Sequence, residues 1–476
     1  MKRISLYLFV GLMVAAACQP QFEMVPPGSG NHASEFSENW YVTRNGAGLK
    51  SGADWTNAIS FATFLKMITD PSYALSSAAF HIQEGTYQVT RKDGYNALSS
   101  DVLCIRGGYS AALEYADLSL CNPDLYPTVF TGDADGNGTA GEGDGAFAYV
   151  SSGNIRFDNI TFKDFYLSKS GANALGGKGS AVFGINGPYL STSVECRNCI
   201  FEGNVNAVND NAGREGGPCA FVSQGYFKAY NCVFRNNSAN SRGGAVRTNE
   251  RLGVLFLDRC LFTGNTLTGG SFGSAIQCSA GEVCMNNCTL VGNSGTGSTL
   301  NGGGAFLVVN STVIDDAEPG EYNAAFRCES SADAGSIVIN SVFSSSKAGG
   351  TGLILNNGVL RSGGFNLFKN VVLSGTGTDP LTSDDTVKDA VLAGTLESRW
   401  WKWDVAQVLS DIRSFAIVDD IYDTAVSFNP VAYCNISVLG RAYANWVTPY
   451  AFAKDARGEI RGDDRYQPGS YDPNID

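Results

Sequence analysis

Asn198-Cys199-Ile200-Phe201-Glu202-Gly203-Asn204, Asn231-Cys232-Val233-Phe234-Arg235-Asn236-Asn237, Arg259-Cys260-Leu261-Phe262-Thr263-Gly264-Asn265 and Asn287-Cys288-Thr289-Leu290-Val291-Gly292-Asn293 are four copies of one phrase. Their cysteines lie 33, 28 and 28 residues apart. That period is too long for a leucine-rich repeat and carries no helical 3.6-residue periodicity. Short β-branched and aromatic runs split by Gly, Asn and Ser predict short strands in every copy.

Alternation along those strands sorts inward from outward positions. Val194/Cys196, Phe227/Ala229, Leu255/Leu257, Val283/Met285 and Ile337 are expected inward in one strand, and Cys199/Phe201, Cys232/Phe234, Cys260/Phe262 and Cys288/Leu290 in the next. Between the two strands stands Asn159, Asn198, Asn231, Asn287, Asn310 or Asn340, and Asn tolerates a left-handed bend better than other residues with a side chain. A third, Ala-led strand follows at Ala181, Ala220, Ala245, Ala275, Ala305 and Ala325. Three strands and three turns per coil predict an all-β fold, a single-stranded right-handed parallel β-helix with an N-terminal capping helix and a C-terminal cap.

The organisation expected is a lipoprotein signal peptide over 1–17, a flexible tether over 18–38, the β-helix with its N-terminal cap over 39–370, and a C-terminal capping region over 371–476. Lys2-Arg3, the apolar run Ile4 to Val14 and Ala15-Ala16-Ala17-Cys18 read as an export signal ending at a cysteine to be lipidated; an ordinary secretory signal with an incidental Cys18 is the alternative. The lipoprotein reading makes the chain an outer-membrane lipoprotein exposed at the cell surface, touching the membrane only through its anchor. The run Asn57 to Ile68 has the pattern of an amphipathic capping helix. Trp400, Trp401 and Trp403 mark the C-terminal region, either as an aromatic carbohydrate-binding cluster or as part of the cap.

A net charge of −13 with dispersed acidic residues argues against nucleic acid or anionic lipid as partner. Two histidines, His32 and His81, leave no material for Ser-His-Asp chemistry or a histidine-rich metal site. The 13 cysteines would ordinarily suggest a disulfide framework. Their spacing instead assigns most of them to the core as small apolar residues, with Cys104–Cys121 the pair best placed for a disulfide. Cys196-x-x-Cys199 is open to a zinc reading, but a strand interrupted by an Asn turn accounts for it as well.

Asp133-Ala134-Asp135-Gly136-Asn137-Gly138-Thr139, ending at Asp144, follows the spacing of an EF-hand calcium loop. Asp133, Asp135, Asn137, Thr139 and Asp144 are therefore candidate ligands for a structural Ca²⁺, although strand-like runs flank the loop where an EF-hand has helices; a Gly-rich acidic turn without metal is the other reading. Outward rows on the Ala-led strand are expected to hold Phe183, Val222, Arg247, Gln277, Leu307 and Arg327, then Ile185, Gln224, Asn249, Ser279, Val309 and Glu329. No carboxylate cluster of the kind lyases or glycoside hydrolases require emerges. Arg247 and Arg327 opposite Glu329, and Lys228 near Asp258, are where a ligand site or a hidden enzyme is sought.

Phe-x-x-Asn at Phe201, Phe234 and Phe262, with Gly243-Gly244-Ala245-Val246 and Gly303-Gly304-Ala305-Phe306, resembles the paired motifs of the polymorphic outer membrane protein repeat family. Trp40-Tyr41-Val42-Thr43, Gly85-Thr86-Tyr87, Ile105-Arg106-Gly107-Gly108-Tyr109, Asp455-Ala456-Arg457-Gly458 and Pro468-Gly469-Ser470-Tyr471 are similar to right-handed β-helix surface proteins of Bacteroidetes. The resemblance implies a surface-exposed β-helix engaged in adhesion, with carbohydrate or glycoprotein as partner. It departs from the repeat family in having no C-terminal membrane barrel, which leaves anchoring to Cys18. Polysaccharide lyase or hydrolase activity on an acidic polysaccharide is the alternative, and a purely structural surface role the second alternative.

Overall fold

The computed structural model describes residues 36–374, apart from short internal stretches, together with Thr386–Val387. Every strand pairing within its two large sheets is parallel and joins one coil to the next, which makes the chain a parallel β-helix. A first column of strands runs through Phe183–Asn186, Val246–Thr248, Ile276–Cys278, Leu300–Gly302, Phe326–Cys328, Leu353–Asn356 and Val371–Ser374. A second runs through Thr192–Arg197, Gly253–Asp258, Glu282–Asn286, Ala305–Val309 and Ser336–Ile339; the long strands Ala148–Asp158 and Ala220–Tyr230 supply both columns. The third runs through Ile160–Lys163, Ile200–Glu202, Val233–Arg235, Leu261–Thr263, Thr289–Gly295, Thr312–Asp315 and Val342–Ser345. Rungs continue past residue 370, because Val371–Ser374 pairs with Leu353–Asn356 and Thr386–Val387 with Leu367–Phe368.

The corner between the second and third columns is made by the residue the repeat phrase begins with. Asn159, Asn198, Asn231, Arg259, Asn287 and Asn310 all have φ between 50° and 60°, the left-handed region that Asn tolerates. Asn198 Nδ2 donates to Asn159 Oδ1 at 3.1 Å, and Asn231 Nδ2 to Asn198 Oδ1 at 2.9 Å, so the bend on one coil holds the next. The following Cys199, Cys232, Cys260 and Cys288 turn inward, and each thiol donates to a backbone carbonyl, as Cys232 does to Cys196 at 3.4 Å. Phe201, Phe234 and Phe262 stack beside them, with ring centroids 4.7 and 4.4 Å apart and planes within 5° of parallel. Burying each such ring is worth about 2 kcal/mol, so a column of them dominates local stability.

The final Asn of the phrase also faces inward. Asn204, Asn237, Asn265 and Asn293 are fully buried, and each of the first three donates Nδ2 to the Oδ1 of the next at 2.8–2.9 Å. The Phe-x-x-Asn motif is thus an apolar rung followed by a hydrogen-bonded one. At the N-terminal end the helix α1, Phe61–Thr69, is capped by Ser60, whose hydroxyl accepts from the Thr63 amide. Its Phe61, Phe64, Met67 and Ile68 cover the first coils against Phe80 and Phe130.

Four expectations are corrected, three of them by the register. Ala305–Val309 pairs with Glu282–Asn286 in the second column, and Leu300–Gly302 takes the Ala-led place between Ile276–Cys278 and Phe326–Cys328. The coil from Asn287 to Asn310 is only 23 residues long, so Gly303-Gly304-Ala305 forms a later corner than Gly243-Gly244-Ala245. Phe183 and Val222 point inward and their neighbours outward, because a one-residue slip exchanges the faces of a strand. For the same reason Val338, paired with Val308, is the inward residue and Ile337 is not. Finally, Cys104 and Cys121 are free thiols, as is every cysteine among the described residues. Cys104 packs beside Phe36 and Ala79, while Cys121 donates to the Gly107 carbonyl at 3.2 Å.

Candidate functional site

The Asp133–Asp144 loop leaves the third column after Thr128–Thr131 and returns to the first at Ala148. Asp133 organises it: its carboxylate accepts from the amides of Gly136 at 2.8 Å, Asn137 at 3.1 Å and Gly138 at 2.9 Å. Gly136 and Gly138 have φ of 74° and 80°, which turns those amides toward one oxygen pair. Asp144 closes the loop by accepting from Ala134 and Gly141, both at 2.7 Å. Asp133, Asp135 and Asp144 each present one oxygen within 4.8 Å of the others, a spacing that suits ligands 2.3–2.6 Å from a shared Ca²⁺. Asn137 donates Nδ2 to Asp135 at 2.8 Å, and Thr139 donates its hydroxyl to Asn137 at 2.7 Å. These five oxygen-bearing residues therefore form one local set of the donor type a hard cation requires.

Asp164, overlooked in the sequence, borders this loop. Burial pushes its carboxyl up to about 6, with Lys163 opposing and the charges of Glu202, Asp133 and Asp144 adding. Asp133 is held the other way: the amides of Gly138, Gly136 and Asn137 and a bond with Asp135 outweigh desolvation and keep it below the usual carboxylate range. A cluster of carboxylates in which one is pushed toward its neutral form is electrostatically suited to a cation.

On the first column the outward row is Phe221, Arg247, Gln277, Asn301 and Arg327. Arg247 is 0% exposed. Its Nη2 donates to Asn249 at 2.6 Å and to Ser279 at 3.2 Å, and its guanidinium lies 5.4 Å from the Phe221 ring centre. Arg327 and Glu329 do come together, with Nη2 and Oε1 2.8 Å apart, and Asn356 donates to the same Oε1 at 3.1 Å. Three rungs separate Arg247 from Arg327, so the two arginines do not converge on one group.

The second column carries the charged outer face. Lys228 stands between Glu195 and Phe256 on successive rungs, and burial lowers its ammonium pKa against the raising effect of Glu195. Asp258 belongs to the adjoining row and accepts from Arg259 at 3.0 Å and Asn286 at 2.9 Å. Glu195 accepts from Arg197 at 2.6 Å. Earlier in the same row as Asp258, Asp158 lies between Arg106 at 3.0 Å and Arg156 at 2.8 Å; those guanidinium charges overcome desolvation and lower its pKa. His81, fully buried, contacts Tyr109 at 3.1 Å and Asn39 at 2.9 Å. Cys18, Trp400, Trp401 and Trp403 lie outside the described residues. No helix among the described residues is long and apolar enough to cross a membrane.

No family model matches the chain, and no curated protein matches it in sequence. Among solved structures, one titled "Crystal structure of pectate lyase Pel9A" is 14% identical, with 92% of this chain and 90% of that chain covered and a TM-score of 0.35.

Proposed function

We propose that the chain is a cell-surface lipoprotein whose β-helix is a display scaffold for glycans or glycoproteins, anchored through Cys18 in the outer membrane. The observation that supports binding over catalysis is the way the outward charges are engaged. Asp158 is clasped by Arg106 and Arg156, Glu195 by Arg197, Asp258 by Arg259 and Glu329 by Arg327. A general acid or base must exchange its proton with substrate, and each of these carboxylates has an oxygen taken by a neighbouring guanidinium; for Asp158, desolvation is outweighed by the charges of Arg156 and Arg106, which hold it in its charged form. The likeness of the repeats to polymorphic outer membrane proteins and Bacteroidetes β-helix proteins supports surface exposure.

A structural Ca²⁺ in the Asp133–Asp144 loop belongs to the same reading: Asp133, Asp135 and Asp144, with Asn137 and Thr139 alongside, would hold it. When bound, the ion neutralises three carboxylates and ties the loop to the coil. The deciding experiment is a glycan array with the mature chain, read for binding and for product release. Binding without turnover is the expected result. Unsaturated uronate ends absorbing in the ultraviolet, or new reducing ends, would replace this reading with a lyase or hydrolase, and neither binding nor turnover would leave a structural role.

A further inference from the structure

Four Asn-Gly pairs lie among the described residues: Asn45-Gly46, Asn137-Gly138, Asn186-Gly187 and Asn301-Gly302. An Asn followed by Gly is open to intramolecular ring closure, because no Cβ shields the glycine nitrogen from the Asn side-chain carbonyl. Three of the pairs are restrained. Asn301 is 1% exposed inside the strand Leu300–Gly302. Asn186 ends the strand Phe183–Asn186; its Nδ2 donates to the Tyr149 hydroxyl at 3.2 Å, and the Gly187 amide donates to the Gln224 carbonyl at 3.3 Å. Asn45 bridges to Ser60, and a Cβ on Gly46 would lie 3.1 Å from the Ser60 nitrogen. Asn137 and Gly138 are both exposed, and a Cβ on Gly138 would meet nothing within 4 Å.

The groups that ring closure needs surround this pair. Asn137 Oδ1 accepts from the Thr139 amide at 2.8 Å and from the Thr139 hydroxyl at 2.7 Å. Two donors on one carbonyl oxygen draw electrons from Cγ and stabilise the oxyanion that forms when it is attacked. The Gly138 N–H donates to Asp133 Oδ2 at 2.9 Å, so a carboxylate is in place to take the proton that the nucleophilic nitrogen must lose. Nδ2, the leaving nitrogen, donates to Asp135 Oδ2 at 2.8 Å.

We infer that Asn137 is a site of self-catalysed deamidation, for which the folded loop supplies the proton acceptor and the oxyanion donors. The Gly138 nitrogen gives up its proton and bonds to Asn137 Cγ; the Cγ–Nδ2 bond breaks, and ammonia leaves with that proton as a cyclic succinimide closes. Solvent water then adds across either ring C–N bond. Opening at Cγ restores the backbone and leaves an aspartate at this position, whereas opening at the main-chain carbonyl routes the backbone through Cγ as isoaspartate. Nothing is oxidised or reduced. The aspartate product places a further carboxylate beside Asp133, Asp135 and Asp144, whose oxygens already lie within 4.8 Å of one another. A neutral donor of the loop thereby becomes an anionic one.

The test incubates the full chain with EDTA at neutral pH and physiological temperature. Each Asn-Gly pair is followed by peptide mass mapping, and isoaspartate is counted by enzymatic methylation. Asn137 is expected to convert about tenfold or more faster than Asn45, Asn186 and Asn301, and at least as fast as in the urea-unfolded chain. Thr139→Val removes the hydroxyl donor and keeps the amide, and Gly138→Ala puts a Cβ into open space against the attacking nitrogen. Each should slow conversion by about threefold or more, with thermal unfolding showing that the coils remain folded. Conversion that urea accelerates would overturn the inference, because the loop would then be shielding the amide. Conversion that Thr139→Val leaves unchanged would overturn the oxyanion role, and an Asn137 that stays an amide while the other pairs convert would overturn the site itself.

Discussion

Asn265 donates its side-chain amide to Asn293 at 2.8 Å across one turn of the solenoid, 28 residues away in sequence. The same Nδ2 donates to the Phe234 carbonyl at 2.9 Å, while Oδ1 accepts from the Asn237 backbone and side chain. Every polar atom of a fully buried amide is thereby used, and its partners depend on it in turn. Asn265→Ala strands donors and acceptors on two coils, and we expect a loss of about 3 kcal/mol or more in urea unfolding. A loss below about 1 kcal/mol would mean that the coils are held by their phenylalanines alone.

The asparagine column ends on an acid. Asp315 is the strand partner of Asn293, buried, and its Oδ1 accepts from Thr299 at 3.1 Å. Burial pushes its carboxyl up to about 7; the Thr299 bond opposes this and the neighbouring Asp316 charge adds to it. The folded state thus holds this proton more tightly than the unfolded chain, where a carboxyl titrates near 4. Stability from this residue is full below pH ~4, falls as pH rises toward about 7 and is flat above it. Asp315→Asn should remove that fall. The variant should be more stable than the parent by roughly 2–4 kcal/mol at pH 8 relative to their difference at pH 4. Equal pH profiles for the two proteins in thermal unfolding would show that Asp315 titrates normally.

Much of this was legible because the repeat phrase puts one chemical type on each rung: the turn asparagines, the inward cysteines and the Phe-x-x-Asn pair. Register was lost where a coil changed length. The short coil from Asn287 to Asn310 keeps the letters Gly303-Gly304-Ala305 but moves them to another corner, and the strand that replaces them, Leu300–Gly302, bears no signature. That single displacement hid Asn301 beside Arg327. Tyr322 was invisible for a different reason: it arrives over Arg327 from a connecting segment, and sequence carries no periodicity for where such segments fold back.

Calcium should act through the Asp133–Asp144 loop. Millimolar Ca²⁺ is expected to raise the melting temperature by several degrees, as about 1–3 kcal/mol of linkage does in proteins of this size. Asp133→Ala should abolish the shift and also lower stability without the ion, because three loop amides lose their acceptor. Mg²⁺, which requires a smaller octahedral shell, should substitute poorly. An unchanged melting curve with Ca²⁺ would reduce the loop to a hydrogen-bonded turn.

The thiols of the inner column give the last prediction. Cys199, Cys232, Cys260 and Cys288 are buried, and burial pushes the Cys232 and Cys288 thiols up, away from the thiolate that alkylating reagents attack. Each donates to a carbonyl of the preceding coil, so each has a reason to remain a thiol. In the native chain these four should resist maleimide and react together once urea unfolds the coils. Reductant should leave the melting temperature of the described coils unchanged. Cys260→Ala should cost about 1–2 kcal/mol from the lost sulfur packing. A drop in melting temperature on reduction would instead reveal cross-coil disulfides and require the column to be redrawn.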